Sequence, residues 1–200
     1  MPIDEIEETE ENKREKKGRS RRQPEEEPFS WKKEIISWIQ IIVAAVVIAL
    51  FLNNVIIANS RVPTGSMENT IMSHSRVIGS RLAYINSEPE RGDVVIFKFP
   101  DNREVYYVKR VIGLPGETVN VVEGKVYIND SQTPLDEPYL PEPMEGSYGP
   151  YTVPEGCYFM MGDNRNNSLD ARFWKNQFVP KKDIMAKVLF CYYPKIGKVE

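Results

Sequence analysis

Between Glu34 and Arg61 the chain runs for 26 positions without one charged side chain: IISWIQIIVAAVVIALFLNNVIIANS. A helix crossing a bilayer needs about 20 predominantly apolar residues. In lipid the backbone must satisfy its own hydrogen bonds, so the many β-branched residues do not argue against helix here. A cleaved secretory leader carries a shorter apolar region, about 7–15 residues, and a small-residue cleavage site. The run therefore predicts a transmembrane helix over residues 35–57. Residues 1–34 are crowded with both signs of charge and nearly free of aliphatics. Such a segment buries too little apolar surface to offset chain entropy and is expected to be disordered. Lys32, Lys33, Arg19, Arg21 and Arg22 precede the span, whereas only Arg61 and Arg76 follow it closely. The excess of basic residues on the first side places the N-terminus in the cytoplasm and residues 58–200 outside the membrane. Trp31 and Trp38 stand where interfacial aromatics anchor a span.

Composition excludes several classes. The formal charge of −3 offers no bulk attraction for nucleic acid. Two cysteines and one histidine cannot build a structural zinc site, which normally takes four such ligands, and they are too few for a disulfide scaffold. No metal or cofactor is expected. The single histidine, His74, is the only residue able to serve a Ser-His-acid triad; its setting, Met72-Ser73-His74-Ser75, reads as an exposed loop. Cys157 and Cys191 fall in candidate strands. A disulfide is open to them if those strands pair, and buried thiols are the expectation.

Beyond the span, alternating hydrophobicity predicts strands at Arg76–Tyr84, Asp93–Phe99, Val105–Ile112, Thr118–Val122, Lys125–Ile128, Cys157–Gly162 and Ile184–Tyr193, bounded by Gly, Pro, Asn and Asp. Six prolines within residues 134–154 suit an extended surface excursion more than a core strand. The expected class is mainly β, with curved antiparallel sheets or a partly closed barrel.

Three short blocks hold the reactive side chains. In Pro63-Thr64-Gly65-Ser66-Met67 a rigid residue, a flexible one and a serine follow in succession. Such a turn can present a hydroxyl beside its own backbone N–H, as a nucleophile near an oxyanion hole requires, and it is equally an ordinary turn. In Tyr107-Val108-Lys109-Arg110-Val111 a strand puts Lys109 on the face of Tyr107 and Val111. Desolvation there lowers the amine pKa toward that of a general base; a lysine reaching out from a sheet edge is the alternative. The third block, Met161-Gly162-Asp163-Asn164-Arg165-Asn166-Asn167-Ser168-Leu169-Asp170-Ala171-Arg172, is either a solvated loop or a hydrogen-bonded platform.

PTGSM, YVKRVIGLPGE and MGDNRNNSLDAR, in this order after an N-terminal span, resemble the signature boxes of bacterial type I signal peptidases, and RGDVVIFKFP resembles a further box of that family. The resemblance covers roughly residues 35–200 and is to the compact Gram-positive-like form. It implies a membrane-anchored serine endopeptidase that removes signal peptides from exported preproteins. Ser66 would be the nucleophile and Lys109 the neutral general base, with an acyl-enzyme between them. Thr64 matches the hydroxyl that joins the Ser66 N–H in the oxyanion hole, and Ser168 the hydroxyl that orients the lysine. Arg110, Asp163, Asp170 and Arg172 match supporting polar positions, with Asp170 and Arg172 an ion pair behind the site. Val62, Ile71, Tyr107 and Val108 match the shallow apolar pockets for small side chains. For Val108 and Lys109 both to reach the cleft, alternation is expected to break between them. Implied partners are secreted preproteins and the lipid bilayer, with the export machinery a candidate. Glu68-Asn69-Thr70 replaces a segment that often carries proline, Asn166 a frequent aspartate and Ala171 a frequent serine; none removes a reacting group. A self-cleaving Ser-Lys peptidase of the repressor type and a tethered binding module without catalysis are the alternatives. The first would want a DNA-binding segment in place of the span.

Overall fold

An apolar helix followed by two antiparallel sheets accounts for the regular structure of residues 30–199, the residues described by the computed structural model. The disorder expected of residues 1–34 lies outside them as far as residue 29. Helix α1 spans Trp31–Phe51, buries none of its residues, and with the turn after it has the length and composition to cross a membrane. It starts before the expected residue 35, since Trp31–Glu34 are already helical and the Glu34 N–H donates to the Ser30 carbonyl at 3.1 Å. Lysine and glutamate are good helix formers, so the charged flank extends the helix.

The end of the apolar run departs further from expectation. Leu52–Ile56 form a π-helical turn, and strand β1 begins at Ile57 and runs to Val62. Periodicity hides this switch, because the same apolar residues suit a span and a strand. Tertiary pairing decides it: Ile57–Val62 align residue for residue with strand β2, Ser75–Ser80. The Arg81 N–H reaches the Ile56 carbonyl at 2.9 Å and its Nε the Ile57 carbonyl at 3.2 Å.

The remaining strands are β3 (Val94–Phe99), β4 (Asn102–Gly113), β5 (Thr118–Val122), β6 (Lys125–Ile128), β7 (Tyr148–Thr152), β8 (Cys157–Met161), β9 (Phe178–Pro180), β10 (Ile184–Tyr193) and β11 (Gly197–Lys198). The larger sheet has the order β1-β2-β10-β3-β4-β8-β9, with β11 on β10; the smaller is β6-β5-β7. The fold is mainly β and antiparallel. Strand β7 lies inside the segment expected to be only a surface excursion. It occupies an edge of the small sheet, where the missing N–H of Pro150 removes no ladder bond from a central strand.

Two buried clusters lie on opposite faces of β3 and β4. One gathers Val95, Phe97 and Val111 with Val119, Val121, Val126 and Val153 from the small sheet and its flank. The other gathers Val94, Ile96 and Val108 with Ala58, Val62, Met67, Ile71, Val77 and Val188. Being buried on both faces explains why Val94–Phe97 of β3 are apolar in succession, without the alternation expected over Asp93–Phe99; Lys98 and Phe99 after them are half-buried. Each fully buried aliphatic or aromatic side chain here stabilises by about 1.5–3 kcal/mol relative to exposure. Strand β4 is two-natured: Asn102–Tyr106 are exposed, while Val108–Gly113 are buried.

Candidate active site

The buried half of β4 meets the turn after β1 at a cavity of about 310 Å³. Its wall includes Val62, Thr64, Ser66, Tyr107, Val108 and Lys109, with Asn167 and Leu169 from the loop after β8. The expected break in alternation is absent. The β3–β4 register runs unshifted from Tyr106 to Arg110, and the irregularity comes earlier, between the pairs of Lys98 and Phe99. Val108 and Lys109 point to opposite faces and both border the cavity because the strand passes along its lip. Ile71 packs with Val62 and Val108 in the second cluster and is not on the cavity wall.

Ser66 is held by its backbone. The Asn164 N–H donates to the Ser66 carbonyl at 3.1 Å, and Asn164 Nδ2 to the Gly65 carbonyl at 3.0 Å. The next side chain, Met67, is fully buried and fastens the turn to the core. The hydroxyls of Thr64 and Ser66 lie 3.4 Å apart, and either can donate to the other.

Lys109 is 3% exposed and forms no ion pair among the described residues. Its Nζ lies 5.9 Å from the centroid of Tyr107, which stacks on Phe99 at 4.4 Å and meets Trp174 edge-on at 6.0 Å. This burial lowers the amine pKa to about 8. The negative fields of Asp170 and Asp163 oppose the shift and Arg172 reinforces it.

Gly162 brings the third block against the other two. A Cβ built there would sit 2.2 Å from Ser168 Oγ and 2.4 Å from the Ser66 carbonyl oxygen, so only glycine lets both approach. Ser168 Oγ is buried and has no hydrogen-bond partner among the described residues, an uncommon state for a hydroxyl.

Three buried ion pairs hold this loop, which is therefore a platform and not a solvated loop. Arg110 grips Asp163 through Nε at 2.8 Å and Nη2 at 2.6 Å. Arg172 grips Asp170 at 2.8 and 2.9 Å, and Asp170 also accepts the Gly162 N–H at 3.0 Å. Arg165 binds Glu137 at 2.5 and 3.1 Å and donates through Nε to the Gly162 carbonyl at 2.9 Å. Sequence reasoning missed that last pair. Glu137 comes from the proline-rich segment, 28 residues away, and no local pattern links it to Arg165. Tyr139 was missed for the same reason; its ring centroid lies 3.8 Å from the Arg110 guanidinium carbon, and its hydroxyl donates to Glu137 at 2.8 Å. His74 is exposed, and Cys157 and Cys191 are unbonded thiols, the second of them buried. No group of metal-ligating side chains occurs among the described residues.

Residues 35–193 match the family model described as signal peptidase, peptidase S26. The chain belongs to that family. It is 39% identical to signal peptidase I S of Bacillus subtilis over 84% of its own length and 94% of the relative's. It is 35% identical to a probable signal peptidase I-2 of Synechocystis, covering 79% of this chain and 74% of that one. A crystal structure of a signal peptidase I from Enterococcus faecalis is 34% identical, with a TM-score of 0.43, over 50% of this chain and 97% of that chain. As a signal peptidase the chain is a hydrolase, which sets aside the non-catalytic binding module. With α1 it is a membrane protein.

Proposed function

We propose that this signal peptidase cleaves N-terminal signal peptides from exported preproteins with a Ser66–Lys109 dyad. The observation that carries the reading is a lysine 3% exposed, with its pKa lowered to about 8, bordering the same cavity as a serine on a constrained turn. Neutral Lys109 Nζ takes the Ser66 proton as Oγ attacks the scissile carbonyl carbon. The Ser66 N–H and the Thr64 hydroxyl hold the resulting oxyanion. Collapse breaks the C–N bond, and Lys109 returns the proton to the departing amine. The acyl-enzyme is then hydrolysed by water that Lys109 deprotonates. Ser168, whose hydroxyl has no hydrogen-bond partner among the described residues, orients the amine. Arg110, Asp163, Asp170 and Arg172 hold the platform beneath it, and Val62, Tyr107 and Val108 receive small substrate side chains, with Ile71 packed behind them.

In the same reading residues 1–34 are cytoplasmic, the apolar helical run from residue 35 to Ile56 crosses the bilayer, and the chain from Ile57, where β1 begins, to residue 200 forms the extracytoplasmic peptidase, next to the export machinery. Ser66 lies ten residues beyond Ile56, the last residue of the apolar helical run. That short tether keeps the site near the membrane surface, where substrate cleavage sites emerge.

The test is preprotein cleavage by the full chain in detergent. Ser66→Ala should abolish it, while the wild type, quenched during turnover, should carry the signal-peptide acyl group on the peptide containing Ser66. Rates should fall as pH drops through about 8, the range in which Lys109 gains its proton. A rate that stays flat from alkaline to mildly acidic pH would contradict a lysine base.

A further inference from the structure

The outer face of β1, β2 and β10 carries a second cavity, of about 510 Å³, lined by Arg61, His74, Arg76, Tyr192 and Tyr193. Arg61 and Arg76 are directly opposite each other in the β1–β2 register, and Arg76 is opposite Tyr193 in the β2–β10 register. Like charges directly opposite on paired strands are destabilising. Neither arginine has an ion pair or side-chain hydrogen bond among the described residues. Nor is there a carboxylate nearby in sequence to serve them. No Asp or Glu occurs from residue 35 to 67, from 69 to 87 or from 184 to 199, so β1, β2, β10 and β11 are wholly without acidic side chains. In a chain whose net charge is −3, this is a local cationic surface awaiting an anion.

Position selects the anion. Arg61 stands five residues beyond Ile56, so the strand carries it no more than about 17 Å from the end of the apolar helical run. Tyr193, 57% exposed, lines the same cavity as the cations, and Met72 at 52% and Ile196 at 79% exposure line a separate one, a mixture suited to the boundary between headgroups and water. We infer that Arg61 and Arg76, with His74 and Tyr193 beside them, bind the phosphate of an anionic phospholipid headgroup. The inference rests on reading α1 as a membrane span, and makes no use of the proposed dyad.

The test uses the full chain. Flotation with pure phosphatidylcholine vesicles examines the span: a wild-type chain left in the aqueous phase overturns the anchor, and the headgroup site with it. Native mass spectrometry from detergent micelles then compares phosphatidylglycerol with phosphatidylcholine. The wild type should retain phosphatidylglycerol at least fivefold more. The double variant Arg76→Gln, His74→Gln, both outside the catalytic cavity, should lose that preference while keeping preprotein turnover and a melting temperature no lower than that of the wild type. A preference that survives in the double variant, or a wild type with none, overturns the site while leaving the anchor standing. Displacement of phosphatidylglycerol by millimolar inorganic phosphate would assign a general anion site and overturn the lipid assignment.

Discussion

The two faces of β4 each bury a cation at adjacent positions, Lys109 at 3% and Arg110 at 2% exposure, and they treat it in opposite ways. Arg110 is fully matched: Asp163 takes two of its nitrogens, the Gly92 carbonyl accepts a third at 2.7 Å, and Tyr139 stacks on its plane. Lys109 faces Tyr107 and the aromatic group behind it and has no ion pair among the described residues. A guanidinium cannot release its proton in a protein, so its burial must be offset by a partner. An amine can release its proton, so burial without a partner lowers its pKa to about 8 and yields the neutral form there. One strand thus carries, at adjacent positions, a permanently charged structural ion and the amine that the proposed dyad uses as its base.

The largest effect expected from this contrast is on turnover. Lys109→Arg keeps a long cation at the site but installs one that stays protonated, and Lys109→Met removes the base outright. Both should lower preprotein cleavage by about 10⁴-fold or more, as losing a general base does in serine hydrolases. Activity of the arginine variant within tenfold of wild type would break the distinction between the two faces. Next in size is Arg110→Met, which strands the Asp163 carboxylate in the core. Removing one partner of a buried pair costs about 3–5 kcal/mol, readable as a drop in the denaturant midpoint. Arg110→Lys should recover less than half of that loss, because an ammonium cannot reproduce the two-nitrogen grip.

A smaller loss is expected at Glu137→Gln, which keeps the shape but discharges the partner of Arg165. About 2–3 kcal/mol of stability should go with it. Wild-type stability in that variant would show that Arg165 is satisfied by the Gly162 carbonyl alone.

These residues also separate what is legible in the sequence from what is not. The charge-free run, the strands over 94–99, 118–122, 125–128 and 184–193, and the nearness of the three blocks follow from periodicity and spacing or from family likeness. Strand β1 does not, because its apolar residues continue those of α1 and only its pairing with β2 reveals it. Glu137 and Tyr139 do not either, since they sit among prolines that read as surface and meet Arg165 and Arg110 only through tertiary folding. The pair Asp170–Arg172 is different: its members are two residues apart, and the likeness to a family already suggested it. Legibility in this site follows sequence separation.

The smallest predicted effect tests the contrast from the side of stability. Unfolded, the Lys109 amine titrates near 10.5; folded, at about 8. Below pH 8 both states hold the proton, and the folded state bears the whole cost of a desolvated ammonium. Between the two values the unfolded chain still binds a proton that the folded chain has released, so stability rises with pH. Above 10.5 the cost is gone. The shift corresponds to roughly 3 kcal/mol at most, and hydration of the ammonium through the cavity mouth should reduce what is measured to about 1–2 kcal/mol. Lys109→Met, similar in size and without a charge, should therefore be more stable than wild type near pH 7, and the gap should close as pH rises from 8 to 10.5. Arg110→Met, one residue along, should be less stable at every pH in that range. If both methionine variants lose stability near neutrality, the Lys109 ammonium is being satisfied in the fold, and its role as an unpaired base falls with the comparison.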